Sequence, residues 1–407
     1  MSADTNADRA HYTVWTYPWD VARLGVDAVL AEIADHGLHG IDLAATYHPI
    51  SALSPRGDTV GAFFCPRGAV FFPARAARYG RVKPHVWPDR DVVTAWTDVA
   101  AHLDARGLEL NAWTIGLFQP WIAQDYPETA RVYSDGTRLD AGICVSSPAV
   151  HEYLTALVTD LADQFPVTLV KLEGMFPPLF DYGWTRRRIY FSLTPRQQQL
   201  MGLCFCSSCT SAGAAQGIDV DAIRARVGAS LHIGTDDSNT VASPDNTNTD
   251  TDADAELDAY AALAPAAASR LIADLALALR AAGSSTRLGV SLPFEGDIDQ
   301  SVEAVLDHVA TVLLANLAAG STELRRAADT VRAHEPAPSL ECFVHPPFTS
   351  TGSGGIPHGI QEDLADPAWR ANLRAARDLG VQRFSLYNYG LLTADTFRAL
   401  VAVARNP

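Results

Sequence analysis

The chain has 407 residues and a formal charge of -16, from 31 basic and 47 acidic side chains, with 48% hydrophobic residues including 8 Trp, 12 Tyr and 15 Phe. That charge excludes partners that need broad basic patches, nucleic acid and anionic membrane surfaces among them, and favours a neutral ligand. The apolar content suffices for a large core and an aromatic-lined cleft, while the polar run Met1 to Ala10 and the lack of a membrane-length apolar run point to a cytoplasmic protein.

Segments rich in β-branched and apolar residues alternate with helical patterns, the order that builds a parallel sheet. Strands are predicted over His11–Trp19, Gly40–His48, Glu109–Phe118, Thr168–Met175, Arg287–Leu292, Thr311–Leu317, Ser339–His345 and Arg383–Tyr389. Eight such strands predict an α/β fold, a single-domain (β/α)8 TIM barrel over residues 11–407, and no G-x-G-x-x-G loop follows the first strand. Val26, Val29, Leu30 and Ile33 recur at helical spacing before His36-Gly37 stops the helix and Ile41-Asp42-Leu43 starts a strand. The same order recurs at Val92–Arg106 before Gly107 and at Trp369–Leu379 before Gly380. Between Gly234 and Glu256 the sequence turns to Asp, Asn, Thr and Ser, a composition that cannot repay the entropy of ordering, so a flexible acidic insertion is expected in the fourth βα unit. The long segments Pro49–Asp89 and Pro346–Pro367 follow strands 2 and 7 and are expected as loops on the catalytic face.

Glu173 lies near the end of the fourth strand, where alternation puts Lys171 and Glu173 on one face and Val170 and Leu172 on the other. A carboxylate at that place suits a general acid, or alternatively a buried ion pair. Glycoside cleavage needs a second carboxylate, about 5–5.5 Å away for retention and about 6.5–9.5 Å for inversion. Glu341 on strand 7 is the first candidate, with a core partnership to Lys171 as its other reading; Glu295, in the loop after strand 5, and Asp181 are the reserves. Trp15, Tyr17, Tyr47, His48, Trp113, His345, Tyr387 and Asn388 fall at predicted strand ends, where rings stack on a sugar and polar groups bind its hydroxyls. No G-x-S-x-G elbow is present, which speaks against a serine hydrolase.

Half of the six cysteines lie in Leu203-Cys204-Phe205-Cys206-Ser207-Ser208-Cys209. Thiolates at this spacing converge on one soft cation, and a fourth ligand from elsewhere completes the tetrahedron of structural zinc; the other reading is three small buried residues. Together with Gly142-Ile143-Cys144-Val145-Ser146-Ser147-Pro148, this run resembles the zinc-bearing β-galactosidases of glycoside hydrolase family 42. The resemblance implies a zinc site of Cys144, Cys204, Cys206 and Cys209, and a retaining mechanism with Glu173 as acid/base and Glu341 as nucleophile. The chain departs from that family in carrying Leu172 where an asparagine precedes the acid, and so is similar to a distant, barrel-only glycosidase with a Leu-Cys-Phe-Cys motif.

The expected activity is therefore hydrolysis of a small glycoside, with zinc as a structural staple, a small carbohydrate as partner and self-association compatible with the sequence. Two other readings stand beside it. Gly25–Ala44 resembles the opening of xylose-isomerase-like proteins, which implies a metal-dependent isomerase or epimerase using Glu173, Glu295, His48 and His345; the third reading is a sugar-binding protein without turnover.

Overall fold

The computed structural model describes residues 10–176, 180, 189–231, 251–292, 303–314, 321–346 and 364–407. The eight expected strands are present as β1 (His11–Thr16), β2 (Gly40–Tyr47), β3 (Glu109–Ile115), β4 (Val167–Glu173), β5 (Arg287–Ser291), β6 (Thr311–Leu314), β7 (Ser339–Val344) and β8 (Arg383–Leu386). All neighbours pair in parallel, and β1 pairs with both β2 and β8, so the sheet closes into a barrel. The helices Val26–Asp35, Arg90–His102, Pro367–Asp378 and Ala394–Arg405 each present buried residues at helical spacing, as in Val29, Leu30 and Ile33 of the first.

Apart from β6, whose predicted end at Leu317 lies outside the described residues, the predicted strands overrun at their C-terminal ends, that for β4 also starts a residue late, and local chemistry sets the stops. Pro18 occupies the first turn of the helix Pro18–Leu24, so Pro18 and Trp19 are helical rather than extended. Gly174, at φ +66°, turns the backbone out of β4 directly after Glu173. Asn388 caps the short helical turn Tyr389–Leu391 by accepting from the Gly390 N–H, which removes Tyr389 from β8. The segment after β2, expected as a loop, holds the hairpin Ile50–Ser54 with Gly61–Cys65 and a short antiparallel strand, Ala69–Val70, on β2.

Two compact units share the chain. The first, Met1–Gly116, Glu152–Met175 and Ile272–Pro407, contains the barrel strands. The second, Leu117–His151 and Phe176–Leu271, comes from the segments that follow β3 and β4 in sequence. It contains the hairpin Ala130–Val132 with Arg138–Ile143 and the helices Ser207–Ala215 and Val220–Ser230 around a core of Leu200, Phe205, Ile223, Val227, Leu257 and Tyr260. Most of the acidic insertion lies outside the described residues, but its last six, 251–256, are helical, because the alanine-rich helix begins at Thr251 and runs to Ala281. This helix includes a stretch, Ala255–Ala281, long and apolar enough to cross a membrane. Leu257, Tyr260, Leu263, Leu271, Leu275 and Leu279 are buried at helical spacing along it, as in a core helix.

Candidate active site

Parallel strands bring their C-terminal ends to one rim, and the residues at those ends form a contiguous group. The Trp113 indole N–H donates to Glu173 Oε2 at 2.7 Å. The same indole ring packs on Tyr17 (5.2 Å between centroids), Tyr47 (4.7 Å), Tyr387 (6.0 Å) and Trp15 (4.4 Å). The three tyrosines share hydrogen bonds, with Tyr17 Oη at 3.1 Å from Tyr47 Oη and 3.0 Å from Tyr387 Oη. His345 stacks on Tyr387 at 5.0 Å, and Tyr47 lies 4.2 Å from His48.

The electrostatics of this group favour neutral forms. Burial raises the Glu173 carboxyl above the ordinary range, and the Trp113 hydrogen bond offsets part of that rise. Burial likewise raises all three tyrosines, so they remain hydroxyl donors. His48 and His345 are lowered by burial, partly countered by the carbonyls of Pro49 and Pro346, and are neutral near pH 7. A carboxyl raised by burial and ringed by aromatic faces and phenols is suited to donating a proton to a leaving oxygen while the rings hold a sugar.

A charge network built on buried Lys171, Asp42 and Glu341 lies deeper in the barrel. Lys171 Nζ is 2.8 Å from Asp42 Oδ2, 2.5 Å from Glu341 Oε1 and 3.2 Å from Thr13 Oγ1. Arg383 Nε approaches Glu341 Oε2 at 3.5 Å. Burial alone would lower the Lys171 ammonium, but Asp42 and Glu341 outweigh it and hold the group charged. Burial would raise Glu341, yet Lys171 and Arg383 keep it low and ionised. Trp15, 2% exposed, has Lys171 Nζ 5.7 Å from its ring centroid and meets Trp113 and Phe343 edge-on.

The structure thus brings Glu173, Trp113, Tyr47, Tyr387, His48 and His345 together at the rim and sets Trp15 below them. It places Glu341 in the Lys171 network, in accord with the core-partner reading of that residue. Asn388 is 1% exposed and serves as a cap. Asp181 and Glu295 lie outside the described residues. Sequence reasoning missed Asp42 and Arg383 as the other partners in the network; a lone carboxylate inside the apolar strand run Ile41-Asp42-Leu43 is the signal that marks Asp42 as a buried charge in need of a partner.

The second unit gathers four cysteines. The sulfurs of Cys144, Cys204, Cys206 and Cys209 all lie within 4.8 Å of one another, each is buried, and none is in a disulfide. Cys144 Sγ is 3.4 Å from Cys209 Sγ and 3.8 Å from Cys204 Sγ, and it accepts from the Ser146 N–H at 3.4 Å. Local structure sets this convergence. Cys144 directly follows the second strand of the hairpin, its N–H donating to Thr129 O; Phe205 N–H donates to Val132 O; and Tyr260 Oη donates to Cys204 O. Cys206 occupies the N-cap of Ser207–Ala215, where the helix dipole favours a thiolate. Four thiolates suit a tetrahedral metal ion and leave no open position on it, so such an ion would brace the fold rather than bind substrate. Among the described residues this is the one cluster of metal-ligating side chains; Glu173, His48 and His345 are not gathered into another.

No protein-family model matches the chain, and no curated protein is similar enough to count as a relative. Solved structures do match in fold. The chain is similar to the α-L-fucosidase isoenzyme 2 of Paenibacillus thiaminolyticus (12% identity, TM-score 0.56), covering 97% of this chain and 49% of that one. It is also similar to the β-galactosidases of the psychrophilic Marinomonas ef1 (11% identity, TM-score 0.53, 97% and 59% covered) and of Rahnella sp. R3 (13% identity, TM-score 0.51, 99% and 56% covered). These structural neighbours are glycoside hydrolases, and the chain spans about half to three fifths of their lengths. At these identities the likeness is one of fold, a TIM barrel.

Proposed function

We propose that the chain is a glycoside hydrolase acting on a small glycoside, with Glu173 as its general acid. The observation that carries this reading is the Glu173 carboxyl at the end of β4, raised by burial, held by the Trp113 indole and set among phenols that can bind sugar hydroxyls. The acid protonates the leaving oxygen as the glycosidic bond breaks, and a second carboxylate attacks the anomeric carbon or activates water. The commitment of Glu341 to Lys171 and Arg383 supports giving it a structural part. The second carboxylate is then assigned to Glu295, which follows β5, the strand paired with β4, by four residues.

The four cysteines are assigned to structural zinc. Together with two structural neighbours named β-galactosidases, they support kinship with glycoside hydrolase family 42 and its retaining mechanism. The substrate is a small carbohydrate, the partners include no nucleic acid, and the compartment is the cytoplasm. Glu295→Gln is expected to lower turnover of an aryl glycoside by about 10³-fold or more with unchanged melting, whereas Glu341→Gln is expected to lower the melting temperature. The reverse pattern returns the nucleophile's role to Glu341, and an unchanged rate in both variants counts against a two-carboxylate mechanism.

A further inference from the structure

Two of the four clustered cysteines line a crevice of about 20 Å³ in the second unit, Cys144 and Cys204, together with Arg131 and Gly202; Cys206 and Cys209 do not line it. A space of that size admits a molecule of a few atoms and keeps out a bulky one. Cys204 is 8% exposed, more than Cys144, Cys206 or Cys209. The crevice wall also carries a cation. Arg131, in the first strand of the hairpin Ala130–Val132 with Arg138–Ile143, is 5% exposed, and its Nη2 donates to Gly202 O, which fixes the guanidinium in the same wall as the two cysteines. A fixed positive charge beside a thiolate favours a reaction in which negative charge passes to a departing oxygen.

We propose that this crevice is a site of oxidation by hydrogen peroxide, with Cys204 as the attacked thiolate and Cys144 as the one that resolves it to a disulfide. The sulfurs of this pair stand 3.8 Å apart, against about 2 Å in a disulfide, so a small shift closes the bond. The Cys204 thiolate attacks one peroxide oxygen: the O–O bond breaks, an S–O bond forms, and hydroxide leaves with a sulfenic acid on Cys204. The Cys144 thiolate then attacks the Cys204 sulfur, forming the S–S bond and expelling a second hydroxide. Two electrons pass from the sulfurs to the peroxide, and both hydroxides take protons from solvent. The bond ties the hairpin to the cysteine run, 60 residues on, the same segments that a metal ion on the four thiolates would tie. Such an ion keeps only Cys206 and Cys209 after oxidation and is released. Its release rests on the zinc assignment proposed above; the disulfide does not.

Full-length protein treated with hydrogen peroxide, blocked with N-ethylmaleimide in denaturant and digested is expected to yield a peptide pair joined through Cys144 and Cys204. Cys65 and Cys342, buried in the first unit, are expected to be alkylated, and dithiothreitol is expected to restore the thiols of the linked pair. Arg131→Gln is expected to slow the oxidation by about tenfold, and Arg131→Lys, which keeps the charge, to retain most of the rate. Zinc measured before treatment tests the metal assignment by itself, and a chromogenic chelator is expected to register about one zinc released per disulfide. The linked peptide is read in the same way from metal-free protein, so failure of the zinc assignment is distinguished from failure of this one. Six alkylated cysteines after peroxide, or a disulfide that omits either Cys144 or Cys204, would overturn the proposal whether or not the Arg131 variants fold.

Discussion

Burial and the Trp113 indole act on Glu173 in opposite directions, and that opposition gives a test at the scale of single residues. Burial raises the carboxyl, and the indole hydrogen bond favours the ionised form. An acid catalyst works in its protonated form, so activity is expected below the raised pKa and is lost as the pH climbs through it. Trp113→Phe removes the lowering influence, so the alkaline limb of the pH–rate profile is expected to move to higher pH, with a lower maximum from poorer positioning; a limb that stays in place would count against Glu173 as the titrating group. The same carboxylate bears on stability. Its folded pKa is raised, so the native state holds its proton more tightly, and the contribution is full at low pH and fades as the pH rises through the folded value. Glu173 was legible in the sequence because strand alternation and the turn after it fix both its face and its depth. The pairing of Lys171 with Asp42 was not, because the two lie 129 residues apart in sequence.

Strand β4 carries two different chemistries two residues apart. Glu173 reaches the rim, while Lys171 belongs to the buried layer with Asp42 and Glu341. Removing one member of a buried charge network leaves the others unpaired, at a cost of about 3–5 kcal/mol. Lys171→Met is therefore expected to lower stability by that amount in urea unfolding, and Asp42→Asn to be harmful as well; a melting temperature unchanged by Lys171→Met would contradict the network. Strand identities were readable from β-branched and apolar runs such as Thr311–Leu314. Strand ends were not, because Pro18, Gly174 and the Asn388 cap stop the ladder where hydrophobicity alone continues. The hairpin Ile50–Cys65 escaped the sequence reading for a related reason: its outer face carries Leu53 and Phe64, both mostly exposed, so no clean polar alternation marks it.

For the molecule as a whole, the eight-fold βα order was legible because strand runs alternate with helical patterns and three units repeat the same helix, stop and strand grammar, and the barrel closes as that order requires. The separate unit built from the segments after β3 and β4 was less so, since its core depends on Cys144 meeting a cysteine run 60 residues on. If zinc holds that unit together, elemental analysis of purified protein is expected to find about one zinc per chain, and Cys204→Ser to lose most of it together with several degrees of melting temperature. Metal-free protein with full stability would remove zinc from the account. The central claim is the acid role of Glu173, and leaving-group dependence tests it most directly. Glu173→Gln is expected to slow hydrolysis of a glycoside with a poor leaving group by about 10³-fold or more, and to spare one with an activated dinitrophenyl leaving group, which needs little protonation. Equal rates for wild type and variant on the poor leaving group would contradict it.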